Sequence, residues 1–145
     1  MNAKEYLQGV FFLDNKIASN KERVKKYKDV AGNKTSKLSA DKVQTTSSKQ
    51  KMADAVCNYS DLESIIQEDE KKRQEIIDTI SLLKPNESIV LYKKYVEHIM
   101  NLYEVAEDIS RSYSWVGKKH SDGIRSIQKI LDERENSESV KKDER

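Results

Sequence analysis

From Ala3 to Ala31, apolar residues recur every seven positions. Ala3, Val10, Ile17, Val24 and Ala31 hold one seam position, Tyr6, Leu13 and Tyr27 the other, and Asn20 fills the remaining slot. An α-helix returns to nearly the same face after seven residues, whereas a strand changes face at every residue, so a repeat of this length predicts a long helix burying one narrow stripe. At 1.5 Å per residue it would extend about 43 Å. A polar Asn20 in the seam either sets register or partner number or is simply tolerated there.

A second repeat runs through Met52, Ala55, Tyr59, Leu62, Ile66, Ile76, Ile80 and Leu83, interrupted by Asp69 and Arg73. The stretch between, Gly32 to Lys49, is rich in Ser, Thr, Lys and Asn without a sustained period. It reads as a connection, with room for one short turn around Leu38 to Val43, and Gly32 is placed to end the first helix. Residues 1–51 carry twelve Lys or Arg against five Asp or Glu, and residues 52–84 carry four against eight. Opposite charge excess suits an antiparallel helical hairpin, coiled-coil-like over residues 1–84. Pairing between two chains, a homodimer through the N-terminal helices, is the competing arrangement, because a two-helix hairpin has little core of its own. Asp69 and Arg73, one turn apart, read as a local ion pair.

Composition narrows the class further. The chain has 145 residues, of which 36% are apolar and 36% charged, with four glycines and one proline. That balance fits an all-α protein of long helices, each burying one stripe. No apolar run reaches the roughly 18 residues that cross a bilayer, and no basic region followed by an apolar stretch opens the chain, so no membrane partner and a cytoplasmic location are expected. Cys57 is the sole cysteine, which rules out an intramolecular disulfide and argues against a cysteine-based zinc site. A small, semi-buried helical residue is its ordinary role.

Lys84-Pro85 breaks the second repeat, since proline disfavours helical geometry in the residue before it and suits a helix's first turn. A new domain, residues 85–131, is expected from this point. Asn86 to Val96 reads as a helix with Ile89, Val90, Tyr92 and Val96 inward, Tyr95 near the edge and His98 close to the end. Asn101 can cap the next, short helix, with Glu104 three residues on, and Leu102, Val105, Ala106 and Ile109 form its apolar stripe. Ser110-Arg111-Ser112 supplies a turn, Ser112 can cap a longer helix, and Val116, Ile124, Ile127 and Leu131 would face inward. Short helix, tight turn and longer helix is the helix-turn-helix order, with the small Ala106 letting the two helices approach.

Charge separates the two helices. Glu104, Glu107 and Asp108 lie on the first, whereas Arg111, Lys118, Lys119, Arg125 and Lys129 lie on or beside the second. The second helix is therefore the one suited to the phosphates of double-stranded DNA. Tyr113, Ser114, Gly117, Lys118 and Ser121 would face base edges in the major groove, Arg111, Lys119 and Arg125 would contact phosphates, and the cap Ser112 belongs to the same DNA-binding set. A solvated basic face is the plain alternative. Trp115, beside Val116, reads as packed, and His120, on the inward stripe, as a hydrogen-bonding residue at the core edge rather than a metal ligand.

Several stretches resemble a family of phage and prophage regulators whose C-terminal part is similar to region 4 of sigma-70 factors. They are Asn2-Ala3-Lys4-Glu5-Tyr6-Leu7, Lys51-Met52-Ala53, Leu91-Tyr92-Lys93-Lys94-Tyr95-Val96, and Tyr113-Ser114-Trp115-Val116 with Lys118 and His120. The resemblance implies a sequence-specific transcription regulator, admits RNA polymerase as a partner, and gives no expectation of an enzyme. The chain departs from that pattern at Ser110, where glycine is expected, at Arg111, where an apolar or aromatic residue is, at Gly117, where a larger polar residue is usual, and at Gly123, where alanine is common. Ser110 must then bear the turn's geometry, and Gly117 offers fewer base contacts.

The sequence holds no Gly-rich phosphate loop, paired metal-ligand motif or nucleophile-base constellation, so neither a catalytic residue nor a cofactor is expected. A protein–protein adaptor built on the hairpin, without direct DNA binding, is the rival reading. Residues 132–145, almost wholly charged or polar, read as a flexible tail.

Overall fold

A computed structural model describes the backbone of residues 1–37 and 46–143 and the side chains of residues 1–30 and 59–143. The fold is all-α, and no strand occurs among the described residues. Its helices are α1 (Ala3–Lys37), α2 (Thr46–Ser81), α3 (Pro85–Leu91), α4 (Leu102–Asp108) and α5 (Tyr113–Asp143), with a π-helical turn at Tyr92–Val96 extending α3. The chain divides into two compact units, one of Met1–Phe12 with Arg73–Arg145 and the other of Leu13–Lys72.

In the unit of Leu13–Lys72, α1 packs antiparallel on α2. Lys16 pairs with Asp69 at 3.2 Å, Lys21 with Glu70 at 2.9 Å and Lys28 with Glu63 at 2.9 Å, so partner numbers broadly fall along α2 as positions rise along α1. Ile17, Val24 and Ile66 form the core, flanked by Leu13, Tyr59 and Leu62. Asn20 occupies its seam slot and is buried. Asp69 is buried too, and its carboxylate meets Lys16 across the hairpin. Gly32 does not end α1, which continues to Lys37 because one glycine costs a long helix only about 1 kcal/mol. The turn expected near Leu38 to Val43 and the side chain of Cys57 lie outside the described residues.

The other unit gathers both ends of the hairpin around α3, α4 and α5. Ala3, Leu7 and Val10 of α1 are buried, as are Ile76 and Ile80 of α2. Tyr6 Oη lies 3.1 Å from Thr79 Oγ1, which also accepts from Arg134 Nη2 at 3.1 Å, and the Ala3 N–H donates to Gln128 Oε1 at 2.8 Å. These contacts join the hairpin ends to α5, so the grouping of residues differs from a boundary at Pro85. They also accompany a helix that runs on to Asp143 where a tail was expected from position 132. Beyond the buried Leu131 the residues are exposed, and charge there marks a solvated helix rather than a lost one.

Pro85 stands at the start of α3, as its fixed φ favours. Val90, Leu91, Tyr95 and Val96 are buried, whereas Ile89 and Tyr92, expected inward, are exposed. At about 100° per residue Ile89 lies on the side opposite Leu91. The π turn then shifts the helical phase: the Glu97 N–H reaches back to Tyr92 O at 3.1 Å, adding a residue to the turn so that Tyr95 and Val96 both face the core. Glu87, buried on α3, accepts from Ser126 Oγ of α5 at 3.3 Å.

Candidate nucleic-acid interface

The joint between α4 and α5 is fixed by local chemistry at each end. Asn101 caps α4, its side chain accepting from the Tyr103 N–H at 2.9 Å. At the other end the Arg111 N–H donates to Ala106 O at 3.0 Å and the Ser110 N–H to Glu107 O at 3.3 Å, the paired bonds of a Schellman stop. That stop needs a left-handed residue, and Ser110 supplies it with φ 56°. Ser112 then caps α5 by accepting the Trp115 N–H at 3.2 Å. Val90, Val105, Ala106 and Val116 form the core beneath, with Leu102, Ile109, Ile99 and Trp115 packed around it.

Gly123 lets α5 come close to α3. A Cβ there would meet Leu91 Cδ1 at 2.9 Å, whereas Gly117 faces open space. One helical glycine is thus required by packing and the other is not.

Of the residues singled out by the sequence, Arg111, Ser112, Tyr113, Ser114, Lys118, Ser121 and Arg125 are exposed, and Gly117 and Lys119 are half-buried. Ser114, Lys118, Ser121 and Arg125 recur at four, three and four residues, which sets them along one exposed stripe of α5. Arg111 and Lys119 converge on Trp115, the guanidinium 5.0 Å and the ammonium 5.9 Å from its ring. Trp115 itself packs against the core, so the indole anchors two cations beside the start of α5. Arg125 lies 3.9 Å from Asp122 and is largely exposed, a pairing that leaves its charge available to another partner.

Tyr113 is less free than the sequence suggested. Its ring stacks on that of Tyr103 with centroids 3.9 Å apart and planes 9° from parallel, while both residues stay exposed. Tyr103 was missed because it falls off the apolar stripe of α4, and its exposure as an aromatic in a first turn was the available signal. Lys93 was missed as well. It pairs with Asp108 at 2.7 Å and Glu97 at 2.9 Å, which hold its ammonium well above the usual lysine range and offset one acid of α4.

No family model, curated protein or solved structure matches this chain.

His120 sits at the core edge, its Nε2 3.0 Å from Tyr95 Oη and its ring stacked on that tyrosine. Burial first, then the charges of Lys94 and Lys4, push its imidazole down to about 4, so it is neutral near pH 7. Burial also pushes the Tyr95 hydroxyl up. The pair is therefore a neutral hydrogen bond joining the π turn to α5. Among the described residues no group of three or more His, Cys, Asp or Glu side chains could hold a metal ion, and no helix is long and apolar enough to cross a membrane. Around the start of α5 the surface presents cations, hydroxyls and aromatic faces.

Proposed function

We propose that the chain is a DNA-binding transcription regulator that docks the N-terminal half of α5 into a major groove of double-stranded DNA. The observation that carries this reading is the exposed stripe Ser114, Lys118, Ser121 and Arg125, flanked by Arg111 and Lys119 on Trp115. Cations at that spacing neutralise phosphates, and hydroxyls and the Lys118 ammonium can reach base edges. The resemblance to regulators with a sigma-70 region 4-like domain supports a role in transcription and makes RNA polymerase a candidate partner.

Base readout by this surface is modest. Gly117 offers no side chain, and Tyr113 is engaged by Tyr103. A homodimer through the N-terminal helices would double the contact and supply the missing affinity. Selection of bound sequences from a random DNA pool by the purified full chain, with its mass in solution measured alongside, tests both points. Enrichment of an inverted repeat with half-sites about one helical turn apart supports a two-fold dimer on DNA. Recovery of unenriched sequence at low salt contradicts sequence-specific regulation.

A second reading, a helical protein–protein adaptor without direct DNA binding, draws on the exposed Phe11 and Phe12, which the DNA-facing stripe does not employ. Capture of a polymerase subunit with no retention of DNA would favour it. Neither reading assigns the chain an enzymatic reaction.

A further inference from the structure

In the unit that holds α5, the start of α1, the π turn and the loop after it border an open cavity of about 360 Å³. Phe11 and Phe12 line it from α1, Lys94 and Tyr95 from the π turn, and His98 and Met100 from the loop. The volume is that of a small-molecule pocket. The heptad does not account for its aromatic wall, because Phe11 and Phe12 fall off the seam that buries Ala3, Leu7 and Val10. Phe12 is 68% and Met100 81% exposed, an apolar surface left open in a chain with little apolar residue to spare.

The loop borders this hollow. His98 holds φ 61° where the Ile99 N–H reaches back to Lys93 O at 3.2 Å and ends the helix, and its ring meets Phe11 edge-on at 5.5 Å. Lys94 Nζ donates to Met100 O at 3.2 Å, fastening the loop to the π turn, and the ammonium has further donors to offer. The lining carries that cation and no Asp or Glu. Apolar walls beside a single positive charge select an anion with a hydrocarbon body.

We propose that this cavity binds a small apolar carboxylate, with its hydrocarbon part against Phe11, Phe12 and Met100 and its carboxylate on Lys94. Tyr95 is both a wall of the cavity and the hydrogen-bond partner of His120, so an occupant touches a residue tied directly to α5. Binding stands on the cavity alone; a regulatory effect on DNA affinity rests on the function proposed above.

The test is a nuclear magnetic resonance titration of the full chain with 4-phenylbutyrate, using 4-phenylbutylamine as the control of equal shape and opposite charge. The carboxylate should bind with a Kd on the order of 1 mM, as suits a fragment of this size. Saturable shifts should be confined to Phe11, Phe12, Lys94, Tyr95, His98 and Met100, with the His120 ring responding through its bond to Tyr95, and the amine should bind about tenfold more weakly. Phe12→Glu, at an exposed position, should abolish carboxylate binding with the fold intact, and Lys94→Gln should erase the preference over the amine. Tyr95→Phe should still bind while the His120 ring resonances cease to respond. Absence of saturable carboxylate shifts, equal affinity for amine and carboxylate, or ligand-free shifts at the same residues on raising protein concentration would overturn the proposal, the last by making the patch a contact between copies. Carboxylate binding by a chain that retains no DNA would uphold the site and remove its regulatory consequence.

Discussion

Gly123 of α5 stands so close to Leu91 of α3 that a Cβ at position 123 would lie 2.9 Å from Leu91 Cδ1 and 3.1 Å from its Cγ. Leu91 is fully buried and has little room to give. Gly123→Ala should therefore destabilise the protein by about 1–2 kcal/mol, overpacking outweighing the gain in helix propensity. Gly117→Ala, which meets nothing within 4 Å, should stabilise it by about 0.5–1 kcal/mol. Urea denaturation of the two variants checks the pair, and shifts of the same sign would contradict the packing described.

Ser110 adopts φ 56° to complete the stop of α4. Glycine enters that region without the Cβ clash, so Ser110→Gly should raise stability by about 1 kcal/mol, and Ser110→Val should lower it by more. Thermal unfolding followed by circular dichroism reads both.

Much of this architecture is legible in the sequence because it depends on periodicity and caps, which are local. Ala3, Val10, Ile17 and Val24 are buried as the seven-residue repeat predicts, and Asn101 and Ser112 cap α4 and α5. The misreadings arise where tertiary contacts decide. Ile89 and Tyr92 look inward on an α-helical period, but the buried face runs through Leu91 and the π turn changes the phase after it. Tyr103 and Tyr113 are ten positions apart on different helices, and no spacing rule reveals that their rings stack. Phe11 beside His98 is hidden for the same reason. The polar run after Leu131 gives a true account of exposure, yet exposure says nothing against a helix that continues from a well-anchored stem.

Asp69 interrupts the apolar seam of α2 and is 2% exposed, and its Oδ2 has no hydrogen-bond donor although Lys16 Nζ lies 3.2 Å away. Lys16 Nζ donates instead to the other oxygen, Oδ1, over a long 3.5 Å, so Oδ2 stays buried without a donor and its desolvation is only partly offset. Asp69→Leu should accordingly stabilise the hairpin by about 1 kcal/mol, whereas Lys16→Ala, which strands the carboxylate, should destabilise it. Denaturation of the two variants, with mass in solution to detect any change of partner number, provides the check.

His120 predicts an acid-side loss of stability. Its folded imidazole is pushed down to about 4 by burial and by Lys94 and Lys4, below the ordinary value of 6.5. The unfolded chain thus binds the extra proton first, so the contribution is full above pH 6.5, falls as pH drops and levels off below about 4. Allowing for partial exposure, it amounts to about 1–2 kcal/mol, and His120→Gln should flatten the stability profile between those limits.

The proposed DNA contact rests on Lys118 and Arg125 of the exposed face of α5. The direct measurement is retention of a duplex by the full chain as salt is raised from about 50 to 200 mM, compared with the double variant Lys118→Glu, Arg125→Glu. Binding should weaken steeply with salt and be lost in the double variant while the helical spectrum is unchanged. Equal retention by both proteins, or no retention by the unaltered chain at the lowest salt, would contradict the proposed contact.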